Sequence, residues 1–197
     1  MAITNGYCTL AQLKGRLGIE TDDATDDTEL EKVVQGASRF IDRDRRRVFY
    51  TSATTTRYFT PRHGDRIWID DMTVVTTVSV AVNPARTYTD WASTDFDTEP
   101  LNSLPTMALY VAPNSSKYFV PGLRKSVKVL GTYGFAAAVP DEIAQASLLL
   151  SQYIWLRKDS PMGTAGMAFL GEISSNPDMM PADVRGLINS FPRRSAK

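Results

Sequence analysis

Val139-Pro140-Asp141-Glu142-Ile143-Ala144-Gln145-Ala146-Ser147-Leu148-Leu149-Leu150-Ser151-Gln152-Tyr153-Ile154-Trp155-Leu156-Arg157-Lys158 is the stretch on which the fold turns. Pro140 suits a first helical turn, where its missing N–H costs nothing. Asp141 and Glu142 oppose the positive end of the helix dipole, and Arg157 and Lys158 match the negative end. No charge falls between Ile143 and Leu156. Leu148, Leu149, Leu150, Tyr153, Ile154, Trp155 and Leu156 together point in every direction around a 3.6-residue turn. A helix apolar all round must be covered all round, so this stretch predicts a buried central helix. A membrane span takes about 20 apolar residues, and this shorter run is bounded by charges on both sides, so no membrane contact is expected.

The flanking sequence is that of an ordinary globular chain. Of 197 residues, 43% are apolar and 22% charged, and the Lys plus Arg count of 22 equals the Asp plus Glu count, which leaves no global attraction to nucleic acid. Cys8 is the only cysteine, which excludes an internal disulfide and a cysteine-rich zinc site and fits a reducing cytosol. Met1-Ala2-Ile3-Thr4-Asn5-Gly6 has neither a basic nor an apolar export region, so no export signal is expected.

Outward from the central helix, two further helices are predicted near the start. Thr9 and Gln12 have capping-box spacing, Leu10, Leu13 and Leu17 share a face, and Gly18 suits a left-handed cap, giving a helix over about 9–17. Thr28 and Glu31 suggest a second capping box. Leu30, Val33, Val34, Ala37 and Ile41 then make one stripe over about 28–43. The loop between them, Glu20-Thr21-Asp22-Asp23-Ala24-Thr25-Asp26-Asp27, could hold a cation but lacks the glycine and terminal glutamate of a calcium loop; a solvated loop is the ordinary alternative. Arg39, Arg43, Arg45, Arg46 and Arg47 crowd the end of the second helix. Their forked guanidiniums suit phosphate or carboxylate, which makes Arg43, Arg45, Arg46 and Arg47 candidate contacts to DNA or an acidic partner. The alternative is a helix end whose cations oppose its own dipole and pair with Asp42 and Asp44.

From Val48 the period changes to two. Val48–Tyr50, Thr54–Phe59, Arg66–Asp70, Thr73–Val82, Leu109–Val111, Lys117–Val120 and Ser126–Leu130 read as strands of a meander, with Asp70-Asp71 as a turn and Gly131 ending the last strand. After Lys158, the small and partly greasy stretch around Met162, Gly163, Gly166, Met167 and Phe169 offers little apolar area, so a partner is expected to order it. Pro181 opens a last helix whose stripe is Val184, Leu187, Ile188 and Phe191, followed by Arg193 and Arg194.

Active-site signatures are missing. There is no phosphate-binding loop, nucleophile elbow, dinucleotide fingerprint or zinc-protease motif. His63 is the only histidine and lies in a polar turn between Arg62 and Gly64. No enzyme activity, metal or cofactor is expected.

The order of the elements resembles the head-tail connector, or adaptor, proteins of long-tailed bacteriophages. Tyr7, Thr9, Leu10, Leu13, Lys14, Leu17 and Ile19 match that family's opening helix. Asp27, Leu30, Val34, Ala37, Ser38, Ile41 and Asp42, with Arg47 and Phe49, match its second. Val127, Val129, Gly131, Gly134, Phe135, Val139, Pro140, Ile143 and Ala146 match its strand, glycine turn and following helix. The resemblance implies an α+β fold: a small helical bundle around a buried central helix, residues 1–49 and 126–197, with an inserted antiparallel β domain at 50–125. It also implies a structural virion protein, made in the bacterial host cytoplasm and assembled at the head-tail interface. There it would form a ring, typically of twelve subunits, extending the DNA channel so that DNA passes without sequence specificity. Its partners would be the portal and a stopper or tail-completion protein. In related adaptors the C-terminal segment meets the portal, which makes Val184, Leu187, Ile188, Phe191, Arg193 and Arg194 the expected contact. The alternative function is a nucleic-acid-binding protein using the Arg39 to Arg47 cluster.

Overall fold

The computed structural model describes residues 3–159 and 180–194. Met162, Gly163, Gly166, Met167 and Phe169 lie outside the described residues. Four α-helices and a six-stranded antiparallel sheet make a mixed α+β fold. The chain splits into two compact units, one formed by Met1–Arg46 with Val139–Arg194 and the other by Arg47–Ala138.

The first unit is helical: α1 is Leu10–Leu17, α2 Asp27–Arg45, α3 Asp141–Leu156 and α4 Ala182–Asn189. The expected capping box closes α1. Thr9 Oγ1 accepts from the Gln12 amide at 3.1 Å, the Gln12 side chain accepts from the Thr9 amide at 2.8 Å, and Gly18 takes the left-handed cap at φ 72°. The second box is absent. α2 starts earlier than Thr28 requires, and the Asp26 carbonyl accepts from both Glu29 and Leu30 at 3.0 Å without a side-chain cap. Leu13, Leu30, Val34 and Trp155 form a core with Cys8, whose thiol pKa is raised by burial.

α3 packs against each of the other three helices. Only one side of it is fully buried: Ile143, Ala146, Ser147, Leu150, Ser151 and Trp155. Leu148, Leu149, Tyr153 and Ile154 are half-buried and Leu156 is 48% exposed, so among the described residues α3 is fully buried on one side and partly covered on the other. Small residues line the buried side because α2 comes close there. The Ser38 and Ser147 hydroxyls meet at 3.2 Å, while Ser38 also donates to the Val34 carbonyl and Ser151 to that of Ser147. Every buried hydroxyl along this seam therefore has a partner, as burial demands.

The second unit is the sheet. Its strands are β1 Thr55–Phe59, β2 Arg66–Val80, β3 Thr89–Asp90, β4 Phe96–Glu99, β5 Thr106–Val111 and β6 Val127–Tyr133. Their order is β1-β6-β2-β5-β4 with β3 also on β2, which is no meander, since the last strand lies between the first two. Val127–Tyr133 pairs with β1 and β2, and this pairing puts it in the β unit, not in the helical core expected to resume at residue 126. Ile67, Ile69, Met72, Val78, Leu109, Val127 and Val129 build the core with Trp91 and Phe119, whose rings stack at 4.8 Å. Val48–Tyr50 and Lys117–Val120 are not strands. Phe49 and Phe119 are fully buried as single anchors, and such anchors need no ladder partner.

Two corrections concern β2 and β6. Asp70-Asp71 is no turn: β2 runs through it for 15 residues, with shifts of register, because each carboxylate has an arginine. Asp70 pairs with Arg57 at 2.9 Å and buried Asp71 with Arg47 at 3.3 Å. Gly131 does not end β6 but lies within it. A Cβ there would sit 2.2 Å from the Val74 carbonyl oxygen, so glycine permits the close approach to β2. Gly134, at φ 151°, would bring a Cβ within 2.5 Å of the Tyr50 oxygen.

Candidate interaction surface

Of the arginines at the C-terminal end of α2, candidates either for a partner contact or for pairing within the fold, Arg45 and Arg47 face in. Arg45 is buried and its Nη1 donates to the Ile188 carbonyl (3.3 Å), the Phe191 carbonyl (3.3 Å) and Asn189 Oδ1 (3.2 Å), while Nε donates to Asp44 at 2.7 Å. These carbonyls end α4, so Arg45 neutralises the dipole of that helix and not of its own. Arg47 belongs to the other unit. It is buried, holds Asp71 and stacks over Phe135 at 5.4 Å. Arg43 and Arg46 are exposed, Arg43 over the Phe40 ring and Arg46 in the left-handed conformation that caps α2. Arg39 donates to the Asn5 carbonyl at 2.6 Å and pairs with Asp42 at 3.3 Å. The cluster is thus divided: Arg45 and Arg47 are buried and hold the fold, and Arg43 and Arg46 are exposed.

α4 corrects the picture of an outward apolar stripe. Val184 and Ile188 are fully buried in a helix that packs on α3, because an eight-residue helix gains its stability from such packing. Leu187 and Phe191 are half-buried. Arg193 is exposed and pairs with Asp44, and the Arg194 amide donates to the Arg45 carbonyl at 3.0 Å. Between the ends of α2 and α4 lies a groove of about 420 Å³, lined in part by Phe40, Arg45, Met180, Arg185 and Arg193.

The acidic loop before α2 does hold a cation, the ammonium of Lys14. This lysine is only 2% exposed; its Nζ donates to the carbonyls of Thr21 (3.3 Å) and Asp23 (2.7 Å) and pairs with the Asp27 carboxylate. Burial of a charge is tolerated because carbonyl dipoles and a counter-ion surround it. The Asp23 carboxyl is held below its usual range by hydrogen bonds from Thr25, so it stays ionised. Glu20, Asp22, Asp23 and Glu29 are exposed. Among the described residues, no group of three or more His, Cys, Asp or Glu could hold a metal ion, and no helix is long and apolar enough to cross a membrane. His63 is exposed.

The matched motif residues are structural ones. The Tyr7 amide donates to Ser38 at 3.0 Å and its hydroxyl to Asp42; Lys14 ties down the loop, Thr9 caps α1, and Gly131 and Gly134 sit where no Cβ fits. No sequence signal links Arg45 to α4, 143 residues further on.

No protein-family model and no curated protein matches the sequence. Solved structures do match over the whole chain. A chain of the "neck of empty GTA particle computed with C6 symmetry" aligns at TM-score 0.62 and 18% identity, covering 100% of this chain and 95% of that one. A chain of the "virion of native gene transfer agent (GTA) particle" aligns at 0.60 and 22%, with 100% and 95% covered, and one of the "neck of native GTA particle computed with C12 symmetry" at 0.58 and 23%, with 100% and 94%. The resemblance to head-tail connector proteins therefore holds at the level of the fold, which this chain shares from end to end with proteins of a phage-like neck.

Proposed function

We propose that the chain is a structural protein of a phage-like virion neck. It acts as a head-tail adaptor that forms a ring of twelve subunits between portal and tail and extends the DNA channel. The observation that carries this reading is the match over nearly the full length of both chains, which leaves no large segment in either without a counterpart. The symmetries of those particles favour a ring of copies, since repeated heterologous contacts close into rings. Leu187, Phe191, Arg193 and Arg194, which are not fully buried, would contribute to the portal contact, and a stopper or tail-completion protein would dock on the opposite side of the ring. The helical unit would form the ring body as a bundle around α3, whose half-covered leucines find cover on assembly. The reading is of a binding protein, not an enzyme.

The nucleic-acid alternative is weakened by Arg45 and Arg47, whose guanidiniums are buried against internal partners. Two exposed arginines remain on that helix end, too few for strong phosphate binding by this element alone. Mass spectrometry and electron microscopy of tailed particles test the proposal. The chain should be present in a fixed ratio to portal subunits, and particles made without it should hold heads that lack tails. Tailed particles devoid of the chain would overturn the reading.

A further inference from the structure

The connections at one end of the sheet gather cations from segments far apart in sequence. The Ala81 amide donates to the Ser126 carbonyl at 2.8 Å, the Gly122 amide to the Pro61 carbonyl at 2.9 Å, the Phe119 amide to the Gly64 carbonyl at 2.9 Å and the Lys125 amide to Thr60 Oγ1 at 3.1 Å. The Tyr88 hydroxyl donates to the Lys125 carbonyl, which brings the connection after β2 to the same place, and the stacked rings of Trp91 and Phe119 close this end from inside. Residues 60–65, 81–95 and 112–128 together carry six Lys or Arg against three carboxylates. Arg62, Arg86, Lys117, Arg124 and Lys125 are exposed, and Lys128 is half-buried over the Tyr88 ring at 5.3 Å. Among the described residues none of the six makes an ion pair, whereas Lys14, Arg39, Arg45, Arg47, Arg57 and Arg193 all have carboxylate partners. Of the acids, Asp95 accepts from the Ala92 amide and the Ser115 hydroxyl, both at 3.0 Å, which leaves Asp65 and Asp90. Arg66 and Asp97 are the neighbouring charges, one on either side of Tyr110, and they offset each other. This end is therefore locally positive in a chain of zero net charge.

We propose that this end of the β unit is the surface the chain turns toward duplex DNA, holding its phosphate backbone through Arg62, Arg86, Lys117, Arg124, Lys125 and Lys128. The proposal rests on the neck reading, in which DNA passes through the ring. Side-chain type selects the ligand. Interfaces between proteins deplete lysine and centre on buried apolar groups, whereas three of these six cations are lysines. Phosphate contacts use Lys, Arg and Tyr hydroxyls alike, and Tyr58 and Tyr118 stand exposed beside the cations at 52% and 57%. A duplex is favoured over a single strand because the Tyr88 ring is covered by Lys128 and tilted against Tyr58 at 6.2 Å, so this pair is not an open platform for bases. Backbone contacts position DNA without reading its sequence, as a channel requires. Zero net charge does not oppose this, because screening over about 8 Å at physiological salt confines each charge to its own surface.

Fluorescence anisotropy of a labelled random-sequence duplex, titrated with the full chain, tests this. Wild type should bind in the non-specific range, about 10⁻⁴ to about 10⁻⁶ M at physiological salt. Arg124→Gln with Lys125→Gln should weaken binding at least about tenfold at about 50 mM salt. It should also make the slope of log affinity against log salt shallower by about 1.8, since each lost phosphate contact removes about 0.9. Arg43→Gln with Arg46→Gln, at the end of α2, should bind as wild type. Thermal melting checks folding, and Arg62→Gln with Lys117→Gln replaces the first variant should that one not fold. The contact is overturned if wild type does not bind the duplex, if the sheet-end variant binds as wild type with an unchanged slope, or if the α2 variant carries the loss. It is equally overturned if poly-glutamate competes for the surface as well as the duplex does at equal charge, since the surface would then serve an acidic protein. The presence of the chain in tailed particles is measured separately: its presence there without duplex binding overturns the contact alone, and tailed particles devoid of it overturn the neck reading.

Discussion

Arg45 is the residue whose removal should test the helical unit most sharply. Replacing it by Ala deletes three hydrogen bonds to the end of α4 and the ion pair to Asp44. Hydrogen bonds to a charged group contribute about 1.5–3 kcal/mol each when counted singly, but these share one nitrogen and one desolvated guanidinium and do not add. Removing one partner of a buried pair costs about 3–5 kcal/mol when the other is stranded. Asp44 is not stranded, because Arg193 still holds it. What lose this donor are the Phe191 carbonyl and Asn189 Oδ1, whereas the Ile188 carbonyl still accepts from the Phe191 amide at 3.1 Å, and the expected loss is about 1–3 kcal/mol. α4 should loosen first, since its eight residues are marginal as a helix without the contacts of Val184 and Ile188. Urea denaturation gives the global change, and amide exchange over residues 182–189 gives the local one. Arg45→Lys should recover part of the stability, since it keeps the charge but not the fork. A loss below about 0.5 kcal/mol for Arg45→Ala, with α4 exchange unchanged, would refute the reasoning, because surface substitutions reach that size.

Further outcomes follow from the same geometry. Ile188→Ser should cost about 3 kcal/mol or more of stability, whereas Leu187→Ser should melt within about 1 kcal/mol of wild type and impair attachment to portal-bearing heads; equal destabilisation by both would remove the portal assignment. Gly131→Ala should destabilise by at least about 2 kcal/mol, since the clash is with backbone oxygen and no side chain can move aside; a wild-type denaturation midpoint would contradict it. The Tyr133 hydroxyl is buried, donates to the Val129 carbonyl at 3.0 Å, and has its pKa raised chiefly by desolvation. A phenol whose folded pKa lies above the unfolded value contributes stability that is fully present below about pH 10 and lost as pH rises beyond it. Absorbance titration should accordingly show the Tyr133 phenol ionising only as the chain unfolds, and Tyr133→Phe should flatten that alkaline loss.

Local signals in the sequence were reliable where one element sufficed to satisfy them. The capping box at Thr9 and Gln12, the left-handed Gly18 and the α2 stripe are each complete within a few residues, and each appears in the structure as expected. The same holds for the alternation of β6. The sequence also determined that the chain has a helical part and a strand-rich part, because hydrophobic period is a property of consecutive residues. Tertiary structure decided everything that depended on a partner far along the chain. Asp70-Asp71 could stay in a strand because Arg57 and Arg47 meet them, and Gly131 could stay in β6 because β2 presses against it. Arg45 turned from a candidate surface contact into the cap of α4, and the acidic loop took its cation from Lys14. Charge and polarity in a sequence state what a residue needs; which group meets that need, and so whether the residue faces inward or toward a partner, is decided only when distant segments are brought together.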